Sequence, residues 1–134
     1  MRIFLDANIL FSAANLDSNI ARLIKIVIND HLAVTSDFAL EEARRNVQRK
    51  RPDWCEGFVT LASQLDVVPS VLFNLPVELD EKDRPILCVA IRADCDLLVT
   101  GDRKHFGHLY EQTVECVTIV SALGLGQRIA DNNA

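Results

Sequence analysis

The sequence predicts an α/β fold, a three-layer α/β/α sandwich around a mostly parallel sheet. Two observations carry this prediction. Short apolar runs of buried-strand type, Ile3-Phe4-Leu5, Leu32-Ala33-Val34 and Leu97-Leu98-Val99, alternate with stretches whose apolar residues recur at helical spacing. Each run also leads into an acidic or hydroxyl-bearing stretch: Asp6-Ala7-Asn8, Thr35-Ser36-Asp37 and Thr100-Gly101-Asp102. A side chain just past a buried strand stands at the carboxyl edge of the sheet, where open α/β sheets place their ligands. Carboxylates on neighbouring strands repel one another there, and a hard divalent cation is the usual reason to tolerate them.

The first strand is read at about Arg2–Leu5, and Asn15–Ser18 as a loop or helix start. Ile20, Leu23, Ile24, Val27 and Ile28 follow at helical spacing, and Asn29-Asp30 closes that helix before a strand at His31–Val34. Ser36 or Asp37 caps the next helix, which turns Leu40, Ala43 and Val47 inward and Arg44, Arg45 and Arg49 outward. Pro52 follows its end. A further helix over about Asp53–Gln64 places Trp54, Phe58 and Leu61 on one side, and Val67-Val68 reads as a short strand. Asn74–Glu81 is polar, contains Pro76 and reads as a loop. Asp83-Arg84-Pro85 opens a helix through Ile91, with Asp83 as its cap and proline in its first turn. Leu97–Val99 is a strand, Phe106–Tyr110 a turn or short helix, and Val114–Val120 the last strand. Gly124–Ala134 carries no functional signature.

The 134 residues suggest one domain, 1–134. A hydrophobic fraction of 49% supplies a core, and a net charge of -5 argues against a non-specific basic coat for nucleic acid. That charge leaves a nuclease open, because bound metal offsets acidic ligands. No apolar stretch is long enough to span a bilayer, and the N-terminal run is interrupted by Asp6. The four cysteines, Cys55, Cys88, Cys95 and Cys116, show no metal-ribbon spacing. They read as reduced, mostly buried thiols of a cytoplasmic protein, with Cys116 in a strand.

Four segments now stand out in order: Leu5-Asp6-Ala7-Asn8, Ser36-Asp37-Phe38-Ala39-Leu40-Glu41-Glu42-Ala43, Asp83-Arg84-Pro85-Ile86, and Leu98-Val99-Thr100-Gly101-Asp102. In this order and spacing they resemble the PIN-domain family, over Arg2 to about Ser121. The resemblance implies a metal-dependent nuclease, commonly an endoribonuclease. Many small bacterial members, the VapC-like ones, are toxins of toxin–antitoxin pairs. It carries the family's acids onto Asp6, Glu42, Asp83 and Asp102. Leu40-x-Glu42-Ala43 fits the pattern better than a frame using Glu41. Asn8, Ser36 and Thr100 match supporting polar positions. Asp6, Asp83 and Asp102 are expected to hold Mg²⁺ or Mn²⁺, with Glu42 nearby. The metal would lower the pKa of a bound water and polarise a phosphoryl oxygen. Whether one metal or two is used stays open.

Each residue also has a plainer reading. Asp83 could be only a helix cap, Glu41 and Glu42 a solvated turn balanced by Arg44 and Arg45, and Asp6 and Asp102 turn residues. Arg44 and Arg45 could hold RNA phosphates but also suit a solvated helix end. Arg103 and Lys104, directly after Asp102, are further candidates for RNA contact. His105 and His108 read as surface or partly packed groups. An aromatic fraction of 6% argues against an extensive base-stacking platform.

The expected partners are an RNA substrate and a cognate antitoxin, with no membrane. Homodimers are common among similar proteins, and a face such as Ile24–Ile28 could serve one, although core packing accounts for it more simply. The alternatives are a non-catalytic module that kept the fold, a DNA-directed nuclease, and a phosphatase with an N-terminal aspartate nucleophile. Asn8 argues against the last, because that chemistry normally has an acid at its position.

Overall fold

The computed structural model describes residues 1–132, so the last two residues of the expected domain 1–134, and of the segment Gly124–Ala134, lie outside the described residues. The sheet contains β1 (Arg2–Leu5), β2 (Leu32–Ser36), β3 (Asp66–Val68), β4 (Leu97–Val99), β5 (Thr113–Val114) and β6 (Val117–Val120) in the order β3-β2-β1-β4-β6-β5. Every pairing is parallel except β5 with β6. β1 lies in the middle because Ile3, Phe4 and Leu5 are apolar on both faces, and all three are fully buried. Burial of such a side chain contributes about 1.5–3 kcal/mol. Phe4 pairs with Val34 on one side and Leu98 on the other.

The chain builds outward from β1 to β2 to β3, then returns to the opposite side of β1 as β4. The crevice between the carboxyl ends of β1 and β4 is therefore the switch point of the topology, where parallel sheets open a binding cleft. The helices are α1 (Ala7–Ala13), α2 (Asn19–Asp30), α3 (Asp37–Lys50), α4 (Cys55–Ala62), α5 (Arg84–Arg92), α6 (Arg103–Phe106) and α7 (Ala122–Asn132). α1 to α4 pack on one another, while α5 packs across β2 and β4. Right-handed crossovers put these two groups on opposite faces, which completes the three layers. Among the described residues, no helix is long and apolar enough to cross a membrane.

Several elements differ from the sequence reading. The stretch after Asp6 is a helix, α1, with Ala7, Ile9, Leu10 and Ala13 buried. Its apolar residues are so continuous that they hide the helical period. β2 begins at Leu32 and reaches Ser36, because Thr35 stays in the sheet and donates its hydroxyl to the Leu5 carbonyl at 2.9 Å. The helix expected over Asp53–Gln64 is a 3₁₀ turn, Pro52–Trp54, followed by α4.

Residues 71–80 form no helix or strand but alternate between half-buried and exposed. Val71, Leu75, Val77 and Leu79 pack on the core, so the expected polar loop is an extended strap. The Sγ of Cys88 on α5 donates to its Phe73 carbonyl at 3.4 Å. The last strand is a hairpin, β5 and β6, whose turn holds Glu115 and Cys116 at φ 48° and 73°. Cys116 is therefore an exposed turn residue, unlike buried Cys88 and Cys95. The segment expected to carry no functional signature folds as α7, with Leu125 and Ile129 in the core. Ile24 and Val27, on the face considered for a homodimer, are buried within the domain.

Candidate metal centre

Asp6 is the last residue before α1, and its position follows from β1. The strand's final peptide is pinned to β4 by the Asp6 N–H donating to the Val99 carbonyl at 3.0 Å. The side chain then caps α1, its Oδ1 accepting from the Ala7 N–H at 2.7 Å. Oδ2 accepts from the Thr100 hydroxyl at 2.8 Å. Asp6 is 5% exposed, and burial pushes its pKa up to about 6 against the pull of these two hydrogen bonds. Glu42 and Asp83 push it further in the same direction, so their charges are felt at Asp6.

Thr100 is fully buried and joins three segments. Besides donating to Asp6, its oxygen accepts from the Asp102 N–H at 3.2 Å and the Asn8 amide at 3.4 Å. The Asn8 carbonyl oxygen accepts from the Gly101 N–H at 2.8 Å, and the Tyr110 hydroxyl donates to the Thr100 carbonyl at 2.8 Å. The two strand ends at the switch point are thereby fixed relative to one another. Thr100 contacts the Asp6 carboxylate directly, and Asn8 reaches it only through Thr100.

Asp83 stands at the start of α5, but its side chain does not cap the helix. Its Oδ2 is buried without a hydrogen-bond partner among the described residues. His105 Nδ1 lies 3.3 Å away but meets Asp102 Oδ2 more closely, at 2.6 Å. One ring N–H cannot serve both oxygens well, so Asp102 takes the bond and Asp83 is left with proximity alone. Burial, with Asp102 and Asp80 adding to it, holds the Asp83 pKa above the usual carboxylate range, while His105 and Lys82 oppose the rise. Asp102 caps α6, with its Oδ1 accepting from the His105 N–H at 3.2 Å.

Asp6, Asn8, Glu42, Asp83 and Asp102 line one cleft of about 150 Å³, together with Phe38, Asn46, Lys82 and Ile86. Glu42 reaches it from α3, whose buried stripe Ala39, Ala43 and Val47 sets the helix rotation. Ser36 is not among the lining residues. It is buried and caps α3, accepting from the Ala39 N–H at 3.0 Å, so it acts on the site by fixing the helix that carries Glu42. Arg44 pairs with Glu41 on the exposed side of α3, whereas Arg45 lines a groove that shares Glu42 and Asn46 with the cleft. Lys104 lines a neighbouring open depression with His105, Asp80 and His108.

Sequence reasoning missed Asn46, Lys82 and the role of His105. Asn46 could have been found at one turn past Glu42. His105 could not, because its link to Asp83 and Asp80 crosses between elements that only the fold brings together. His108 does not join it and instead contacts the Glu78 carbonyl at 3.0 Å.

The donor set suits a hard divalent cation. Four carboxylates line one small cleft, and one oxygen of Asp83 has no partner among the described residues, although no three of these four acids bring ligand oxygens within 4.8 Å of one another. Among the described residues the group whose ligand atoms do so is Asp80, Asp83 and His105, in which Asp80 is exposed and the His105 ring also faces Asp102 at 2.6 Å.

An open, mostly parallel sheet with four carboxylates lining a cleft at its switch point defines an α/β domain with a candidate metal site. A family profile described as PIN domain matches residues 2–104, and the chain belongs to the PIN-domain family. Comparison with curated proteins finds no significant match. Among solved structures the chain is similar to PAE2754 from Pyrobaculum aerophilum, with 17% identity, TM-score 0.65, and 98% of this chain and 96% of that one covered. It is also similar to VapBC2 from Rickettsia felis, bound to a DNA fragment from its promoter, with 16% identity, TM-score 0.64, and 90% and 98% covered. A third is Mycobacterium tuberculosis VapC20, described as a sarcin–ricin loop cleaving toxin, with 12% identity, TM-score 0.56, and 84% and 98% covered. At these identities the likeness is one of fold.

Proposed function

We propose that this protein is a metal-dependent endoribonuclease that hydrolyses RNA phosphodiesters. The observation that carries the proposal is the convergence of Asp6, Glu42, Asp83 and Asp102 on one cleft at the sheet's switch point. Membership of the PIN-domain family supports it, as does the fold shared with an RNA-cleaving toxin. Asp6, Asp83 and Asp102 would hold Mg²⁺ or Mn²⁺, with Glu42 beside them, and a cation there would supply Lewis-acid polarisation of a phosphoryl oxygen and lower the pKa of a water.

The chain's own residues do the positioning. Thr100 and Asn8 hold the Asp6 and Asp102 segments in register, and His105 fixes the Asp102 carboxylate. Such outer-shell contacts typically govern metal affinity by 10–100-fold. Lys82 brings a positive charge to the cleft, Arg45 and Lys104 line the neighbouring groove and depression where they would contact phosphates, and Arg103 is a further candidate by its place in sequence beside Asp102.

The test is incubation of mixed-sequence RNA with the purified protein, in Mn²⁺ or in EDTA, followed by sequencing of the ends. We expect discrete cleavage in Mn²⁺, none in EDTA and none with Asp102→Asn. Intact RNA in every arm, from folded protein that binds Mn²⁺, would instead support a non-catalytic module. Cleavage of DNA alone would support the DNA-directed alternative.

The same reading extends to a toxin role, with a cognate antitoxin as the protein partner and a homodimer as the working form. The toxin role and the antitoxin partner are supported by the fold shared with VapBC2 and VapC20. Induced expression is expected to arrest growth with the unsubstituted chain and not with Asp83→Asn. Equal growth of both strains would remove the toxin role and leave the nuclease untouched.

A further inference from the structure

Helix α3 carries a pattern that metal binding does not use. Phe38, Glu42 and Asn46 are spaced by four, so they share a face of the helix. All three line the acidic cleft. The other face, Ala39, Ala43 and Val47, is buried in the core, and this fixes the rotation that points the first face at the cleft. Beyond Asn46 the cleft continues into the groove lined by Arg45, Gln48 and Arg49. The helix thus presents an aromatic ring, an acid, an amide and two arginines along about 16 Å of its length.

Phe38 is the unusual member. It is 40% exposed, although phenylalanine is among the residues most often buried. Its backbone is held in place. The Ser36 cap bonds the Ala39 N–H at 3.0 Å, and Asp37 Oδ1 accepts from the Phe38 N–H at 2.7 Å and the Ser70 N–H at 3.0 Å. The ring is therefore presented beside the carboxylates by a turn tied down at both ends. Asn46 is half-buried and offers an amide donor and acceptor to the same cleft. Stacking on an aromatic face with hydrogen bonds to base edges is how proteins read unpaired nucleotides.

We propose that this face of α3 is a nucleobase subsite for single-stranded RNA, in which an unpaired base beside the scissile phosphate stacks on Phe38 while Asn46 meets a base edge. The onward phosphates follow Arg45 and Arg49. The inference rests on the nuclease reading and narrows it, because the bases of duplex RNA are stacked on one another and cannot cover the ring.

The test uses labelled mixed-sequence single-stranded RNA, and the same RNA annealed to its complement. Binding is measured by anisotropy with Mn²⁺ in an Asp102→Asn background, and KM and kcat are measured with Asp102 intact. Phe38→Ala is expected to weaken single-strand binding and raise KM about tenfold, with kcat changed much less. Phe38→Trp is expected to retain both constants. Phe38→Leu is expected to behave like the alanine variant, because leucine has no π-face. Asn46→Ala is expected to shift the preference among cleaved sequences.

If Phe38→Ala keeps both constants while Mn²⁺-dependent cleavage persists, the subsite is overturned and the nuclease reading stands. The ring would then belong to a protein contact. Full rescue by leucine would overturn it too, by showing a packing role. Absence of any cleavage by the unsubstituted chain is a different failure, that of the nuclease reading itself.

Discussion

Replacing Asp6 with asparagine is expected to abolish Mn²⁺-dependent RNA cleavage and to make the metal-free protein more resistant to alkaline destabilisation. The activity loss should exceed about a hundredfold, the upper end of what losing an outer-shell contact to a metal ligand costs. The stability effect follows from the raised pKa. Asp6 titrates at about 6 in the folded chain against a model-peptide value of 3.8, so the folded state holds its proton more tightly than the unfolded state does. Folding stability therefore falls as pH rises between those two values and stays lower above them. The shift corresponds to about 3 kcal/mol at neutral pH.

Asp83 is shifted in the same direction. Asp37, Glu41 and Asp53 are shifted down, and their contributions are lost as pH falls. These three are solvent-exposed ion-pair or hydrogen-bond partners and count for little. In EDTA the unsubstituted protein should melt at a higher temperature at pH 5 than at pH 8, and Asp6→Asn should narrow that gap. The gain is partial, because asparagine has one acceptor oxygen for the Ala7 and Thr100 donors, and its NH₂ would face one of those donors as a second donor. Mn²⁺ should raise the melting temperature of the unsubstituted chain and much less that of the variant. An unchanged pH gap in Asp6→Asn would show that the buried carboxylate is no burden on the fold.

Gly57→Ala is expected to destabilise the protein by about 3 kcal/mol, the upper part of the range for overpacking. Helix propensity alone predicts the opposite, a gain of about 1 kcal/mol. The sign is decided by space. A Cβ at Gly57 on α4 would stand 2.2 Å from the Ala14 carbonyl oxygen and 3.2 Å from Leu16 Cγ. The first obstacle is backbone at the end of α1 and cannot rotate aside. Relief requires α4 to move away from α1, which loosens Phe58 and Leu61 in the core. Gly126 on α7 is the control, because a Cβ there meets nothing within 4 Å among the described residues. Urea denaturation should place Gly57→Ala well below the parent and Gly126→Ala at or above it. A Gly57→Ala protein as stable as its parent would mean that α1 and α4 do not approach as closely as described.

Strands were legible wherever apolar runs were short and bounded. β1 and β4 fall where Arg2–Leu5 and Leu97–Val99 place them, because a run buried on both faces has no alternative use in a domain of this size. The helices with a mixed surface were legible as well, since α2 and α3 display their period openly. α1 was not, because nearly every residue from Ala7 to Leu10 is apolar and a continuous run has no phase. α7 was missed for a related reason, since glycines at 124 and 126 weaken a local helix signal that burial of Leu125 and Ile129 overrides. The strap at residues 71–80 looked polar, yet its alternate residues pack on the core, because β-type alternation needs no sheet partner when a core surface lies beneath.

The order of strand, acid and hydroxyl pointed to Asp6 and Asp102 at the carboxyl edge of the sheet, while Glu42 and Asp83 were nominated through the resemblance to the PIN-domain family. What the sequence by itself determined is therefore the layer architecture, which follows from local pattern, and it nominated the acids that line the cleft. Only the tertiary structure decided how those acids are held. The Thr100 hydroxyl lies on Asp6, His105 spans Asp102 and Asp83, Ser36 serves the helix rather than the cleft, and Phe38 and Asn46 share the cleft with Glu42. These relations join residues up to 94 positions apart. The ones that cross between elements, Thr100 with Asp6 and His105 with Asp83, are set by strand order and helix placement, which burial of the whole core determines and no local stretch encodes.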